Sequence, residues 1–290
     1  MSRLSRALSR VLLSTLATAT EQEANGECHG AGERPEATAA VTPPAESEPR
    51  VAAVQSPAPP AARLEDFDVV LYDLETTGLS SKNDSIVEIA AQRMRYANGQ
   101  WRREGPHLET LVKPGRAIPA GATAVHGIGD ADVANAPTVA AALEQFQAYI
   151  AAGPRCVLMA HNGVRFDRHF VKSAWQAELA HAEQSGRFSP VNMEYIGDTE
   201  QLFRLLTAGS HAKYSLGALY EECEGPPTVA HRALADVRMI EHVLSRLWRA
   251  GDVVTSLAAL TKTGAELARD LGVRVKVRNR ALVPVEEWGA

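Results

Sequence analysis

Apolar and polar positions divide the chain into segments of different character. Phe67-Asp68-Val69-Val70-Leu71-Tyr72-Asp73-Leu74 is an apolar, β-branched run, the pattern of a strand covered on both faces. Residues 86–94, 107–112, 155–160 and 193–198 repeat that character, so five strands are expected. Between them the spacing changes. Pro137 opens an Ala/Leu/Phe-periodic stretch to Ile150, read as a helix with proline in its first turn. A second helix is expected from about Phe166 to Gln184. Leu216, Leu219 and Tyr220, then Leu234, Val237, Ile240, Val243, Leu244 and Leu247, fall at helical spacing. Three strands followed by alternating helices and strands argue for an α/β fold, a mixed five-stranded sheet with helices on both faces.

The first 20 residues behave differently. Leu4, Leu8 and Leu12 recur every four positions, and Arg3, Arg6 and Arg10 are the only charges before Glu21. A helix there would be amphipathic and cationic. Arg-rich, Ser-rich and acid-poor composition is that of an organellar transit peptide, which predicts a mitochondrial or other organellar location, with cytoplasm or nucleus as the alternative. Residues 21–62 are rich in Ala, Pro, Glu and Gly and too poor in bulky apolar side chains to offset ordering entropy, so a disordered spacer is expected. The globular domain is placed at residues 66–249, and 250–290 form a C-terminal extension without an assigned role. In that extension Arg274, Lys276, Arg278 and Arg280 alternate with Val275 and Val277. A strand there would carry four cations on one face, either a charge-protected edge or a phosphate contact.

Charge and cysteine content narrow the function. A formal net charge of −5 excludes a protein that coats nucleic acid through a broad basic surface. It leaves room for a local site built of carboxylates. Cys28, Cys156 and Cys223 lie far apart and fit neither a disulfide framework nor a zinc motif. No run of about 18 apolar residues exists, so no membrane association is expected.

The candidate chemistry is a set of acids. Asp73 and Glu75 stand two apart at a strand end and project from one face, while Leu74 points the other way. Two adjacent carboxylates are costly unless a cation lies between them, and Mg2+ prefers such hard oxygen ligands. Thr76-Thr77-Gly78-Leu79 follows as a turn whose glycine offers an unusual backbone angle and close approach. Asp167 ends a polar strand exit, Ala160-His161-Asn162-Gly163-Val164-Arg165-Phe166-Asp167. Taken alone it would be a helix cap. Asp236 lies in the first turns of the last long helix, on a face expected to meet the sheet. His231, five residues earlier, is of a type suited to deprotonating water. Glu88, in the second strand, is read as a structural or edge charge, with support of the neighbouring acids as the alternative.

These segments together resemble the three exonuclease motifs of the DnaQ-like DEDDh superfamily: Asp73-x-Glu75-Thr76-Thr77-Gly78, then Ala160-His161-Asn162 through Phe166-Asp167, then His231 and Asp236. Val125-His126-Gly127-Ile128 with Pro137-Thr138 resembles the family's substrate-contacting loop, and Tyr214-Ser215-Leu216-Gly217 the segment before its third motif. The likeness covers roughly residues 66–249. It is closest to the three-prime repair exonucleases and to organellar DNA-degrading exonucleases, without the Pro-rich insertion that some of those carry.

The resemblance implies an RNase H-like fold and 3′→5′ hydrolysis by two Mg2+ ions, for which Mn2+ substitutes, about 3.5–4 Å apart. It implies Asp73 bridging both ions, Glu75 and Asp236 completing one side, Asp167 acting through coordinated water, and His231 as general base. Glu75, Thr76, Leu79, His126 and Phe166 would hold the terminal nucleotide. The expected partner is a single-stranded 3′ end, with DNA favoured over RNA; a homodimer is left open. The alternatives are an exoribonuclease of the oligoribonuclease type and a non-catalytic nucleic-acid-binding module on the same fold.

Overall fold

The computed structural model describes residues 62–181, 193–228, 231–249, 255–271, 279–285 and 287. The leader and spacer expectations, apart from residue 62, lie outside those residues, as do Cys28, Arg274, Lys276 and Arg278. The described residues form a seven-stranded mixed sheet: β1 (Asp68–Thr76), β2 (Ile86–Ala97), β3 (Gln100–Arg103), β4 (Leu108–Leu111), β5 (Cys156–Ala160), β6 (Met193–Asp198) and β7 (Leu282–Pro284). The order is β3-β2-β1-β5-β6-β7, with β4 also pairing with β2. β1 runs antiparallel to β2 and parallel to β5, and β5 is parallel to β6.

Among the described residues eight α-helices accompany the sheet: α1 (Ala120–His126), α2 (Val139–Ala151), α3 (Asp167–His181), α4 (Thr199–Leu206), α5 (Leu216–Glu222), α6 (Ala233–Leu247), α7 (Leu257–Leu260) and α8 (Gly264–Leu271). The two-residue period of β1 decides which helices meet which face. Val70, Tyr72 and Leu74 belong to the core formed with Leu143, Phe146, Phe170 and Trp175 of α2 and α3. Val69 and Leu71 belong to the other core, with Leu202, Leu219, Val237 and Ile240 of α4, α5 and α6. Asp73 and Glu75 continue the second series, so they share the face on which α6 lies.

The expected five strands are present, and two more join them. β2 runs past Met94 to Ala97 and turns through Asn98 and Gly99, at φ 52° and 81°, into β3. An Asn-Gly pair with positive φ at both positions is the turn whose twist matches a hairpin. Trp101 of β3 then packs against Tyr96 and Trp248, with centroids 5.4 and 5.1 Å away. β7 is only three residues long and takes its place by pairing with β6.

Two local expectations need correction. Pro137 is not in the first turn of α2: Thr138 is the N-cap, its hydroxyl accepting from the Ala141 amide at 3.3 Å, and the proline stands just before it. The segment Val125-His126 is not loop but the end of α1, which stops at Gly127 with φ 75°. Among the described residues no helix is long and apolar enough to cross a membrane.

Candidate active site

The site begins where β1 ends. The β1–β2 register places Asp73 opposite Ala90 and Glu75 opposite Glu88, and an irregularity follows between Glu75 and Thr76. Such bulges re-aim side chains at strand ends. Beyond it, Thr76 donates its hydroxyl to the Gly78 carbonyl at 2.6 Å. Gly78 does not adopt the positive φ that the sequence suggested. It is required for a close approach: a Cβ there would stand 2.5 Å from the Asp84 carboxylate, which caps the turn by accepting from the Ser80 amide at 3.0 Å. Leu79 is left 87% exposed at the tip of this turn.

Asp236 reaches the same point from α6. Oxygens of Asp73, Glu75 and Asp236 all lie within 4.8 Å of one another. The start of α6 is held from outside the helix. Its N-cap, Arg232, supplies no side-chain cap. Instead the fully buried Glu88 accepts from the Ala233 amide at 2.9 Å and from the Arg232 guanidinium at 2.6 Å. Glu88 is therefore no edge charge; it is the peg that sets α6 against β2. Replacing it by Ala strands the Ala233 amide and takes the acceptor away from the half-exposed Arg232 guanidinium, an expected loss of about 1–3 kcal/mol in denaturant unfolding. Glu88→Gln, which keeps an acceptor for the amide, should lose visibly less. Equal losses would show that the cap does not matter.

His231 precedes α6 with φ 64°, a left-handed conformation, and its backbone N–H points at both Asp236 oxygens, 3.2 and 3.3 Å away. The residue is exposed at the mouth of the cluster.

Asp167 arrives from the opposite side as the first residue of α3. It is buried, and its charge acts on Asp73. Its approach depends on a tight turn. Asn162 sits at φ 61°, and a Cβ on Gly163 would come within 2.6 Å of the Ala160 side chain. Two groups hold that turn. Asp198 accepts from the amides of Asn162 at 3.1 Å and Glu200 at 2.9 Å, so one carboxylate both fixes the turn and caps α4. His161 spans from the Thr199 hydroxyl at 3.2 Å to the Tyr214 carbonyl at 2.8 Å. A carbonyl only accepts, so Nε2 carries the proton and both ring nitrogens are engaged in support rather than chemistry.

Of the expected nucleotide-holding residues, Glu75 and Thr76 line the strand end, and Phe166 is half-buried with its ring 5.0 Å from Phe170. His126 is buried, with Nδ1 accepting from the Ile128 amide at 3.0 Å, while its neighbour Val125 is 57% exposed. Asp198 is the supporting residue that sequence reading passed over. Its signal was an acid at a strand exit directly before a helix.

The acids repel one another strongly. Burial, then Asp167, Asp236, Glu75 and Glu88, push the Asp73 carboxyl well above the usual carboxylate range. Burial, then Asp236 and Glu88, raise Glu75 to about 8, against the pull of Arg232. Burial raises Asp167 to about 7 although the Leu74 backbone pulls it down, and Asp236 is also raised, first by burial. A donor set of hard oxygens that cannot all ionise without a positive partner fits divalent cations.

Above about pH 5 the unfolded chain has largely released the protons of Glu75 and Asp167, while the folded, metal-free chain holds those two until pH 7–8, and Asp73 and Asp236 are raised in the same direction. The folded state binds more protons in that window, so metal-free stability falls as pH rises. Thermal melts in EDTA should drop from pH 5.5 to 8, and Mg2+ or Mn2+ should flatten the curve. A melt independent of both pH and metal would contradict this electrostatic reading.

Known proteins resemble this chain in sequence and in fold. A family model described as Exonuclease, of the RNase T type, matches residues 70–244. A DNA polymerase III subunit epsilon-like protein of Rhodobacter capsulatus is 44% identical over 110 residues, 38% of this chain and 15% of that protein. The chloroplastic/mitochondrial exonuclease DPD1 of Arabidopsis thaliana is 33% identical over 191 residues, 62% of this chain and 55% of that protein. The chain thus spans well under two thirds of each relative's length. The zinc-bound complex of E. coli exonuclease I with single-stranded DNA superposes with a TM-score of 0.57 at 17% identity, over 70% of this chain and 45% of that one. At that identity the likeness speaks for the fold alone, an RNase H-like α/β sheet.

Proposed function

The chain belongs to the RNase T exonuclease family, within the DEDDh superfamily, and from that premise we propose that it removes nucleotides from the 3′ ends of DNA. The observation that carries the reading is the meeting of Asp73, Glu75 and Asp236 within 4.8 Å at the end of β1, with Asp167 buried beside them. Asp73, Glu75, Asp236 and Asp167 would hold two divalent cations, Mg2+ or Mn2+. Bound there, the cations would stabilise the charge on the attacking and leaving oxygens of the phosphodiester.

The side chains do the rest. His231 stands exposed at the mouth, within reach of water entering the cluster, and takes the proton as that water attacks phosphorus. The P–O3′ bond to the penultimate nucleotide breaks, the departing O3′ takes up a proton from solvent to leave a 3′-hydroxyl, and a nucleoside 5′-monophosphate is released. Leu79 and Val125 offer exposed apolar surface beside the site. Apolar support under a base is indifferent to sequence, as suits a degradative enzyme.

DNA is favoured over RNA because relatives named for DNA replication and exonuclease I solved with single-stranded DNA share the family and the fold. Digestion of DNA and RNA of one sequence tests this; faster loss of RNA would make the enzyme an exoribonuclease. The Arg-rich leader and the chloroplastic/mitochondrial relative support an organellar location. Microscopy of a fusion carrying residues 1–40 checks it, and a diffuse cytosolic signal would defeat it. The exonuclease domain itself is taken as residues 66–249, followed by an extension.

A further inference from the structure

Beyond Asp167 lies a cleft of about 640 Å3 that the proposed chemistry does not use. Arg165, Arg168 and His169 line one wall, and Thr263, Asn279 and Arg280 of the C-terminal extension line the other. Among the described residues Glu287 is the one acid in it. Glu287 is already matched by Arg280, at 2.5 and 3.0 Å. Arg165 and Arg168 are thus the cations that face the space with no acid of the cleft bound to them.

The extension is fixed where it stands. The Asp198 amide donates to the Ala281 carbonyl at 2.8 Å, and the Asn279 amide to the Gln201 side chain at 3.4 Å. β7 then continues along β6 as the outermost strand of the sheet. Since β6 ends at Asp198, the segment 279–281 lies at the same end of the sheet as the acid cluster. Arg168 follows Asp167 directly, about 3.8 Å away along the backbone. The cleft therefore starts one residue from the cluster.

A protein of net charge −5 with a clustered acid site must offer a polyanion some local cations. Guanidinium groups are suited to phosphate because their N–H groups match its oxygens in pairs. The volume accommodates roughly one or two nucleotides. We propose that this cleft carries the phosphodiester backbone of the substrate strand just behind its 3′-terminal nucleotide, and that the C-terminal extension exists to form the cleft's outer wall. The assignment rests on the exonuclease reading and deepens it.

The test compares two substrates in the full-length protein. One is a single-stranded DNA of about twenty nucleotides. The other is the p-nitrophenyl ester of thymidine 5′-monophosphate, which has one phosphodiester and nothing behind it. Arg168→Glu should raise KM for the oligonucleotide about tenfold, with ester turnover within twofold of wild type. Fluorescence anisotropy in EDTA should show the same weakening, with a salt slope smaller by about 0.7 for each lost phosphate contact. Arg168→Lys should recover most of it, and Asn279→Asp, on the far wall, should weaken oligonucleotide binding about threefold. Equal loss on both substrates, or none on the oligonucleotide, would overturn the cleft assignment. Wild-type binding by Asn279→Asp would remove the extension from it. A wild-type protein that cuts neither substrate yet binds the oligonucleotide through Arg168 would sink the exonuclease reading and leave the cleft standing.

Discussion

Asp73→Asn should lower kcat by about three orders of magnitude or more while making the metal-free protein more stable. The substitution keeps shape and volume, so the core beneath it is undisturbed. What changes is charge. Asp73 is pressed by burial and by Asp167, Asp236 and Glu75, and its carboxyl is held well above the ordinary range. A neutral amide relieves that repulsion, so at pH 7 to 8 the melt in EDTA should rise; a gain of about 1 kcal/mol would move Tm by roughly 2–4 °C in a domain of this size. The same substitution removes a ligand from the centre of the cluster, so the stabilisation by Mg2+ or Mn2+ should shrink. Loss of activity with gain of stability separates a functional carboxylate from a structural one. A variant equally active, or less active and less stable, would argue against the site.

His231→Asn should cost kcat a factor of about 10^2 to 10^4, with KM and metal stabilisation near wild type. Asparagine is the cleaner replacement because His231 adopts φ 64°, which asparagine tolerates better than most residues. Its backbone N–H can still address the Asp236 carboxylate, so the start of α6 keeps its contact. Only the ring that accepts the proton is gone. If metal stabilisation collapsed along with activity, His231 would be holding the cluster together rather than acting as its base. Full activity would remove it from the chemistry altogether.

Comparing these residues with the sequence shows which information is local. The shared face of Asp73 and Glu75 follows from the two-residue period of a strand, and the inward aim of Asp236 follows from its place between Leu234 and Val237 on an amphipathic helix. Both are written within a few residues. Glu88 is different. It stands in β2 between Val87 and Ile89 like any charge on a strand, and its partners Arg232 and Ala233 lie 144 and 145 positions away. No periodicity foretells a helix capped by a carboxylate from a neighbouring strand. β7 was illegible for a similar reason: three residues carry no pattern, and the pairing with β6 decides their conformation. β3 is legible in the sequence, because Asn98-Gly99 between alternating residues is a strong hairpin signal. Gly78 shows that a motif can be read correctly for the wrong reason. Its backbone is ordinary, and the close approach it permits is that of Asp84. His126 appeared in a substrate-contacting segment, yet the fold buries it and exposes Val125 beside it.

Removal of nucleotides from DNA 3′ ends is most directly tested by incubating a 5′-labelled single-stranded DNA with the purified chain and Mg2+ or Mn2+, and resolving the products at single-nucleotide resolution. The expected result is a ladder that shortens stepwise from the 3′ end, with nucleoside 5′-monophosphates released and no cleavage in EDTA. An intact oligonucleotide in Mn2+, or products that arise from the 5′ end, would contradict it.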